Sequence, residues 1–428
     1  MTIKETLKKL DNGEYKNSRE VVLGGVSYSV REILIKAPLL AGINVYLVGG
    51  TGEGKTQLAH DLIGYLGDNS CYMMGRPDFE PSELLRQVRL DKLNKVKSDK
   101  ELVELTQNVK KILFYSDEIN RAPPIVQNYF FDFMDGKFVY NGKIYSLGSR
   151  GYTLGYATGN LGNDEYVGVS DSDRALLDRM HMIIKLDYPD FSTTELDDYE
   201  IFGGKKDPRA SLPNIVTDIS QEIVSMHDEF NKIEVNLLLP VLGVYFHKGL
   251  DYLENTAKHS KRALNHHWAE AEGVRTDNDE NKIYPLSKRA IFSSICLTTA
   301  LDLIAREKGE KPDTTRLFLD SLRLIVPYSG VINLSYINME HDGDVYSAFD
   351  SIFSRIREDI SERIELLEEA CILAESGRKD DRLFNKISPY EGRWDSVKNS
   401  LSMYADKMAN NPSKKGLKIK DFLDKAHD

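Results

Sequence analysis

A run of glycines that ends in Lys-Thr is the strongest chemical signal in this chain. Residues 49–56 read Gly-Gly-Thr-Gly-Glu-Gly-Lys-Thr, fit the pattern G-x-x-x-x-G-K-[ST] and follow the apolar run 43–48. Glycines let successive N–H groups point into one concavity that binds phosphate oxygens. The helix expected at 56–66 adds the partial positive charge of its first turn. Lys55 would reach the β- and γ-phosphates, and the Thr56 hydroxyl would bind Mg²⁺.

The pattern therefore predicts a nucleoside triphosphate site. A Gly-rich turn that contains Lys-Thr by chance is the alternative, and the strand expected before the turn argues against it. The predicted nucleotide contacts are Gly49, Gly50, Thr51, Gly52, Glu53, Gly54, Lys55, Thr56 and Gln57.

Two acidic residues at the end of another apolar stretch would complete this site. The run 111–116 is followed by Asp117 and Glu118. Asp117 would hold the hydrated Mg²⁺, and Glu118 would orient and polarise the attacking water beside the γ-phosphate. Acidic capping of the next helix is the alternative interpretation. The phosphate loop upstream favours the interpretation that the two acidic residues take part in hydrolysis.

The elements that must position these residues alternate between strand and helix. Strand-like segments cover residues 43–48, 70–74, 111–116, 152–158 and 182–186, and helical stretches separate them. This alternation predicts an α/β domain with a mostly parallel sheet. Helical patterns dominate after residue 190. An apolar stripe at helical spacing, from Ile352 to Cys371, marks a further region beyond about residue 330.

Composition narrows the class of protein. The 428 residues are too many for one compact core, so two or three domains are expected. The net charge of −11 gives no overall electrostatic footprint for nucleic acid. Cys71, Cys296 and Cys371 lie far apart and are expected to be buried thiols. With no apolar signal core at the start and no apolar stretch long enough to span a bilayer, we expect a cytoplasmic protein without a membrane role.

The segment Asp117-Glu118-Ile119-Asn120-Arg121-Ala122-Pro123 resembles the D-E-I-N-R-A signature of the MoxR-type AAA+ ATPases. A helix expected at 124–135 and a hairpin around Asn141-Gly142, a strong type I′ turn signal, also match that family. The resemblance covers roughly residues 20–330. It implies an α/β AAA+ P-loop domain with a parallel five-stranded sheet in the order 5-1-4-3-2, followed by a helical lid. An additional C-terminal helical region is expected outside the part that the resemblance covers.

The resemblance also implies roles for residues distant from the phosphate loop. Asn160 follows Ala157-Thr158-Gly159 and matches sensor 1, which contacts the γ-phosphate or the lytic water. An ordinary turn asparagine is the alternative. Arg289, within Ser287-Lys288-Arg289-Ala290, matches sensor 2 of the lid and would contact the γ-phosphate of the same chain. A solvated arginine at a helix start is the alternative there.

Arg179 is the arginine-finger candidate. The stretch Ala175-Leu176-Leu177-Asp178-Arg179-Met180 is similar to the family segment that carries this residue. Its guanidinium would enter the site of a neighbouring subunit and offset charge on the transferring phosphoryl group. Arg174 is a competing candidate, and an intrachain ion pair of Arg179 is the non-catalytic alternative. The implied catalytic set is Lys55, Glu118, Asn160, Arg179 and Arg289, with Thr56 and Asp117 as metal ligands.

The domains expected are a nucleotide-binding domain at 1–190, a helical lid at 191–330 and a C-terminal helical region at 331–428. An insert at about 75–111 interrupts the first domain. Residues 74–85 resemble the start of the hairpin that the family carries there. Residues 89–111 depart from the family, since they are rich in lysine and largely read as an amphipathic helix.

The function implied is that of a ring, usually a homo-hexamer, that hydrolyses ATP with Mg²⁺ at subunit interfaces. Such proteins remodel, assemble or activate a partner protein, often one with a von Willebrand A domain. The alternative is an AAA+ NTPase motor that acts with nucleic acid, similar to McrB or the replicative helicases. The acidic net charge argues against it. A third hypothesis is a scaffold that binds nucleotide and assembles but hydrolyses little of it. The presence of Glu118, the expected water-orienting residue, argues against it.

Overall fold

Short strands and helices make up the chain in the computed structural model, which describes residues 2–75, 86–88, 103–122, 127, 133–140, 143–159, 177–204, 217–253, 260–263, 279–410 and 416–419. The strands are β1 Glu20–Leu23, β2 Val26–Ser29, β3 Val45–Val48, β4 Ser70–Met74, β5 Arg86–Val88, β6 Val103–Leu105, β7 Leu113–Asp117, β8 Lys137–Tyr140, β9 Lys143–Ser146, β10 Leu154–Thr158, β11 Met182–Lys185, β12 Glu234–Val235 and β13 Leu417–Lys418.

The α-helices of the described residues are Ile3–Lys9, Ala37–Ala41, Lys55–Leu66, Glu195–Gly204, Ser220–Phe230, Leu238–Val244, Lys288–Glu307, Thr314–Ser321, Leu334–Glu340, Val345–Ser361, Ile364–Glu375, Asp381–Ile387 and Asp395–Asn410. A π-helical turn at Glu32–Lys36 leads into the helix Ala37–Ala41, and another at Tyr245–Gly249 follows the helix Leu238–Val244. Within the described residues, no helix combines the length and the apolar character needed to cross a bilayer.

The chain divides into two compact units. The first comprises Met1–Val22, Val26–Phe230 and Leu303–Glu310, and the second comprises Leu23–Gly25, Asn231–Asp302 and Lys311–Asp428. Residues 331–428 therefore share a unit with residues 231–302. The segment 191–230 belongs to the unit that holds the nucleotide-binding sequence motifs.

A parallel five-stranded sheet forms the centre of the first unit. Its strand order is β11-β3-β10-β7-β4, which confirms the predicted order 5-1-4-3-2. One row of paired residues crosses it from Met182 through Val45, Tyr156 and Tyr115 to Tyr72. Every residue of β3, β7 and β10 is buried. Burial on both faces explains why these strands are continuous apolar runs without alternation.

The buried side chain of Asn44 fixes the amino edge of this sheet. Its Nδ2 donates to the carbonyl oxygens of Met134 (2.8 Å) and Arg179 (3.0 Å), and its Oδ1 accepts from the Gly155 N–H (2.8 Å). The Asn44 N–H donates to Nδ1 of His181 at 3.0 Å. The predicted first strand therefore begins at Val45 and not at residue 43.

Residues of the first unit also form two antiparallel strand pairs outside the central sheet. The pairing of β8 with β9 confirms the predicted hairpin, whose turn residues Asn141 and Gly142 lie outside the described residues. The pairing of β5 with β6 shows that the helical prediction for 89–111 is wrong at Val103–Leu105, and a 3-10 turn follows at Gln107–Lys110. Backbone hydrogen bonds to Arg86–Val88 decide this conformation, and apolar spacing carries no information about them. Residues 89–102 lie outside the described residues.

Helices dominate the second unit, where β12 and β13 form a two-stranded antiparallel pair. Its core contains an aromatic cluster in which Phe246 and Phe349 stack on Phe353, with ring centroids 5.7 and 3.9 Å apart. The apolar stripe predicted from Ile352 to Cys371 is divided over two helices, Val345–Ser361 and Ile364–Glu375. All three cysteines are buried and form no disulfide.

Asn44→Ala should lower the free energy of unfolding by about 2–4 kcal/mol, because the buried Met134 carbonyl, the buried Gly155 N–H and the partly buried Arg179 carbonyl lose their partner. Urea denaturation of the full chain would measure this. Asn69→Ala is the control, since its amide contacts Asp218 and Ser220 at a partly exposed position and its loss should cost less than about 1 kcal/mol. Equal losses in the two variants would contradict the proposed importance of Asn44.

Candidate functional site

The glycine-rich loop connects β3 to the helix Lys55–Leu66 at the carboxyl edge of the sheet. Gly49, Gly52 and Gly54 have φ values of 141°, 95° and 78°. Side chains disfavour this left-handed region, so the turn requires glycine. Gly54 directly precedes the helix, whose first N–H groups and dipole favour an anion. The backbone therefore has the form that the sequence pattern predicts for a phosphate-binding loop.

The Lys55 ammonium lies within this loop and is buried. Its Nζ donates to the carbonyl oxygens of Gly49 (3.0 Å) and Gly50 (2.5 Å). Burial lowers the pKa of Lys55 from its ordinary value, and the nearby carboxylates of Asp187 and Glu53 oppose that shift. A polyphosphate could replace the two carbonyls as the partner of this cation, because phosphate oxygens carry the formal charge that carbonyls lack.

The carboxylate of Asp117 ends β7 and is held through both of its oxygens. The Thr158 hydroxyl donates to Oδ1 at 2.5 Å, and the Tyr72 hydroxyl donates to Oδ2 at 3.3 Å. Thr158 also accepts a hydrogen bond from the Glu118 N–H at 3.1 Å. One hydroxyl at the end of β10 thus fixes both Asp117, the last residue of β7, and Glu118, the residue after it.

Glu118 adopts a left-handed backbone conformation, with φ at 50°. Such a conformation costs a non-glycine residue about 1–2 kcal/mol and persists only where neighbours enforce it. The neighbours here are Thr158 and Gly75, whose N–H donates to the Asp117 carbonyl at 2.8 Å. The Glu118 carboxylate pairs with Arg121 at 2.8 Å. The strained backbone lies directly after the last residue of β7, at the carboxyl edge of the sheet.

Parallel pairing brings these segments together. Met74 is opposite Asp117 in the β4–β7 ladder, and Leu47 is opposite Thr158 in the β3–β10 ladder. Because the carboxyl ends of parallel strands share one edge, the phosphate loop, the acidic pair and Thr158 meet there. Asp187, just after β11, joins them, since its Oδ2 accepts from the Gly50 N–H at 3.2 Å.

Sequence reasoning missed Thr158, Asp187 and Tyr72 as partners of the site. Thr158 was visible as part of Ala157-Thr158-Gly159-Asn160, and Asp187 as the acid that follows the fifth strand. For Tyr72 the sequence holds no comparable signal, because only strand pairing places it next to Asp117.

Asn160 and Arg174 lie outside the described residues, so the sensor 1 role of Asn160 stays a prediction. Its neighbour Gly159 lies at the carboxyl edge, where its N–H donates to the Leu47 carbonyl at 3.0 Å. Arg289 is the second residue of the helix Lys288–Glu307 and lies in the second unit. Its sensor 2 role also stays a prediction.

Arg179 lies at the amino edge of the sheet. Its carbonyl is bound by Asn44, which precedes β3, whereas the phosphate loop follows β3. The five residue steps from Asn44 to Gly49 span about 16 Å. The Arg179 Nε donates to Oδ2 of Asp135 at 2.9 Å, with both side chains partly buried. The intrachain ion pair therefore exists, and Arg179 is remote from the phosphate loop of its own chain.

A magnesium ion would find oxygen donors here. Within the part of the chain that the structure describes, no group of three or more His, Cys, Asp or Glu side chains is arranged to hold a metal ion. The oriented carboxylate of Asp117 and the Thr56 hydroxyl suit Mg²⁺, which prefers oxygen and usually takes its remaining ligands from phosphates and water. The residues present fit a metal that arrives with its nucleotide.

Comparison with known proteins agrees with this geometry. Residues 44–180 match the family described as AAA domain (dynein-related subfamily). This segment is an AAA domain. It includes the phosphate loop, the acidic pair, Thr158 and Arg179, whereas the second unit lies outside the match. No curated protein matches the sequence.

Two solved structures are similar to this chain. A candidate ATPase from Cytophaga hutchinsonii ATCC 33406 has a TM-score of 0.50 and 17% identity, over 81% of this chain and 94% of that one. At that identity the likeness shows a shared fold alone. A full-length MCM homolog from Methanopyrus kandleri has a TM-score of 0.42 and 12% identity. The match covers 70% of this chain and 56% of that protein, and it is too weak to support an inference.

Thr158→Val should weaken magnesium-dependent nucleotide binding about 10- to 100-fold, since a hydrogen bond to a charged group contributes about 1.5–3 kcal/mol. The substitution removes the donor to Asp117 and the acceptor for the Glu118 N–H while keeping the shape of the side chain. Titration of a fluorescent ATP analogue with and without Mg²⁺ would measure it. Thr158→Ser should restore binding. An equal loss in the absence of Mg²⁺ would contradict a role through Asp117.

Proposed function

We propose that this chain is a MoxR-type AAA+ ATPase that hydrolyses ATP at the subunit interfaces of a ring, and that it remodels, assembles or activates a partner protein. The observation that carries the proposal is the position of Arg179. The phosphate loop and the acidic pair lie at one edge of the sheet, and Arg179 lies at the opposite edge. An AAA domain with this arrangement has a complete hydrolytic set only when two copies meet.

Each residue at the carboxyl edge has a defined task in hydrolysis. Lys55 would exchange the Gly49 and Gly50 carbonyls for β- and γ-phosphate oxygens. Thr56 and Asp117 would hold Mg²⁺, which supplies positive charge to the phosphates when bound. Glu118 would orient the attacking water and accept a hydrogen bond from it. Asn160 at the end of β10 would contact the same water or the γ-phosphate.

Arg179 would act on the neighbouring copy. A guanidinium stabilises the charge that develops on the transferring phosphoryl group, and it can be supplied by another subunit. Asp135 holds the Nε of Arg179 at the amino edge and so limits the directions in which the other guanidinium nitrogens can point. A head-to-tail contact of this kind generates a ring when the rotation closes. A homo-hexamer is the ring that the MoxR resemblance favours.

The client and the lid role rest on the resemblance in sequence. We propose a protein client, with a von Willebrand A domain protein as the first candidate, and a lid in which Arg289 senses the γ-phosphate. Nucleic acid is the less favoured partner, because a net charge of −11 provides no overall basic surface. The proposed nucleotide is ATP, which the MoxR-type ATPases hydrolyse.

Glu118→Gln should reduce ATP turnover at least about 100-fold, because a positioned general base contributes about 10²–10⁴ in rate. Arg179→Ala should reduce it at least as much, because an arginine finger contributes about 10³–10⁵. Glu118→Gln should retain nucleotide and a stable ring in mass photometry. Mixing the two inactive variants should restore part of the activity, since an intact Glu118 from one copy then meets an intact Arg179 from the next. Arg150→Gln, an exposed arginine paired with Asp228, is the matched control and should keep full activity.

Several outcomes would change the proposal. No recovery on mixing would reject catalysis between copies, and an unchanged rate in Arg179→Ala would move the finger to Arg174. Turnover that rises strongly only on addition of single- or double-stranded DNA would favour the nucleic-acid motor.

A further inference from the structure

A segment near the start of the chain, Leu10–Arg19, runs along the helix that follows the phosphate loop; we refer to it as the strap. Asp61 of that helix, which is fully buried, binds it at two points. The Asp61 carboxylate accepts from the Glu14 N–H at 3.0 Å and from the Tyr15 N–H at 3.1 Å. The strap is therefore attached to the phosphate-loop helix through its backbone.

Arg31 and Tyr65 reinforce this attachment. The Arg31 Nη2 donates to Asp61 at 2.7 Å and to the Tyr15 carbonyl at 3.1 Å. Its Nη1 donates to the Tyr65 hydroxyl at 2.8 Å, and that hydroxyl lies within hydrogen-bond distance of the Leu10 and Asn12 carbonyls of the strap. A buried charge pair with all its oxygens engaged is costly to break, so the strap has one well-defined position on the helix.

The Tyr15 ring lies against Gly54, the last residue before Lys55. A Cβ atom placed on Gly54 would lie 2.9 Å from Cε2 of Tyr15 and 3.4 Å from Cδ2. The ring thus fills the space that a side chain at position 54 would take. Gly54 has φ 78° and ψ 7°, a left-handed conformation that glycine adopts freely but does not hold by itself.

The hydroxyl of Tyr15 connects the strap to a second segment. The Asn17 Nδ2 donates to it at 3.0 Å and to the Phe191 carbonyl at 2.7 Å. The Ser18 N–H donates to Asp197 at 2.9 Å. Burial raises the pKa of Tyr15 to about 12, so its hydroxyl stays protonated at neutral pH. Contacts therefore run without a break from Gly54 through Tyr15 and Asn17 to the segment 191–197.

We propose that Tyr15 is a positioning residue of the nucleotide site. Its ring holds Gly54 in the conformation that aims the N–H groups around Lys55 at a phosphate, and Asn17 passes movements of that loop to the segment 191–197. A phosphate loop binds tightly only if its N–H groups are oriented beforehand, because ordering a glycine-rich loop at the moment of binding costs conformational entropy. The inference rests on the part of the proposed function that assigns nucleotide binding to this loop.

The experiment compares Tyr15→Ala with Tyr15→Phe by calorimetric titration with MgADP, which requires neither Glu118 nor a neighbouring copy. Tyr15→Ala should weaken the affinity at least about tenfold, since loss of loop orientation removes hydrogen bonds to phosphate. Tyr15→Phe keeps the ring and should stay within about threefold of wild type. Leu10→Ala is the matched control, because it truncates a fully buried side chain of the same strap while the Leu10 carbonyl, which contacts the Tyr65 hydroxyl, stays in place.

Hydrogen exchange supplies a readout that a loss of stability alone would not give. In wild type and in Tyr15→Phe, MgADP should slow amide exchange in both the strap and residues 191–197. In Asn17→Ala the strap should still respond, whereas residues 191–197 should not. At a MgADP concentration that just saturates the wild type, a Tyr15→Ala protein should show a weaker response in both segments, because less of it is bound.

The results separate the two proposals. Wild-type affinity in Tyr15→Ala, an equal loss in Leu10→Ala, or a loss in Tyr15→Phe as large as in Tyr15→Ala would overturn the role of the ring while nucleotide binding stands. An unchanged exchange response of residues 191–197 in Asn17→Ala would overturn the relay. A wild-type protein that binds no MgADP at millimolar concentration would overturn the proposed function itself.

Discussion

Parallel alignment of five buried strands is the constraint on which the first unit depends. Parallel pairing forces all carboxyl ends to one edge and all amino ends to the other. At the carboxyl edge the chain places its flexible glycines, its buried lysine and its acidic pair. At the amino edge a single asparagine, Asn44, fixes the segments that carry Asp135 and Arg179. The chemistry of the two edges differs because all five parallel strands begin at one edge and end at the other, so different chain segments meet at each.

The carboxyl edge concentrates features that are unfavourable when they are taken one at a time. It contains a buried ammonium, a buried carboxylate and a glutamate in a left-handed backbone conformation. Each is tolerated because neighbours supply hydrogen bonds, as the Thr158 hydroxyl does for Asp117 and Glu118. Groups held in this way need little rearrangement when a charged ligand binds. Less binding free energy is then spent on ordering the site.

The same principle extends beyond the loop itself. Tyr15 packs against Gly54, and Asp187 binds the Gly50 N–H, so a segment that precedes the glycine-rich turn and one that follows it in the sequence both support it. Glycine allows the left-handed conformations of this turn, but it also has more conformational entropy in the unfolded chain than other residues. Support from bulky or charged neighbours restricts that freedom in the folded protein. The loop is thus a product of the whole unit and not only of its own eight residues.

The sequence by itself determined the local elements of the site: the glycine pattern before Lys55, the acidic pair after an apolar run, the hairpin around residues 141 and 142, and the positions of all five strands to within a few residues. These follow from short-range rules, in which neighbouring residues decide backbone conformation. The sheet order came from the resemblance of the Asp117–Pro123 segment to a known family. Only the tertiary structure decided that Thr158 binds Asp117, that Tyr15 lies on Gly54 and that Val103–Leu105 is a strand. Each of these pairs residues well separated along the chain, and a side chain's spacing in sequence does not specify which distant backbone it will meet.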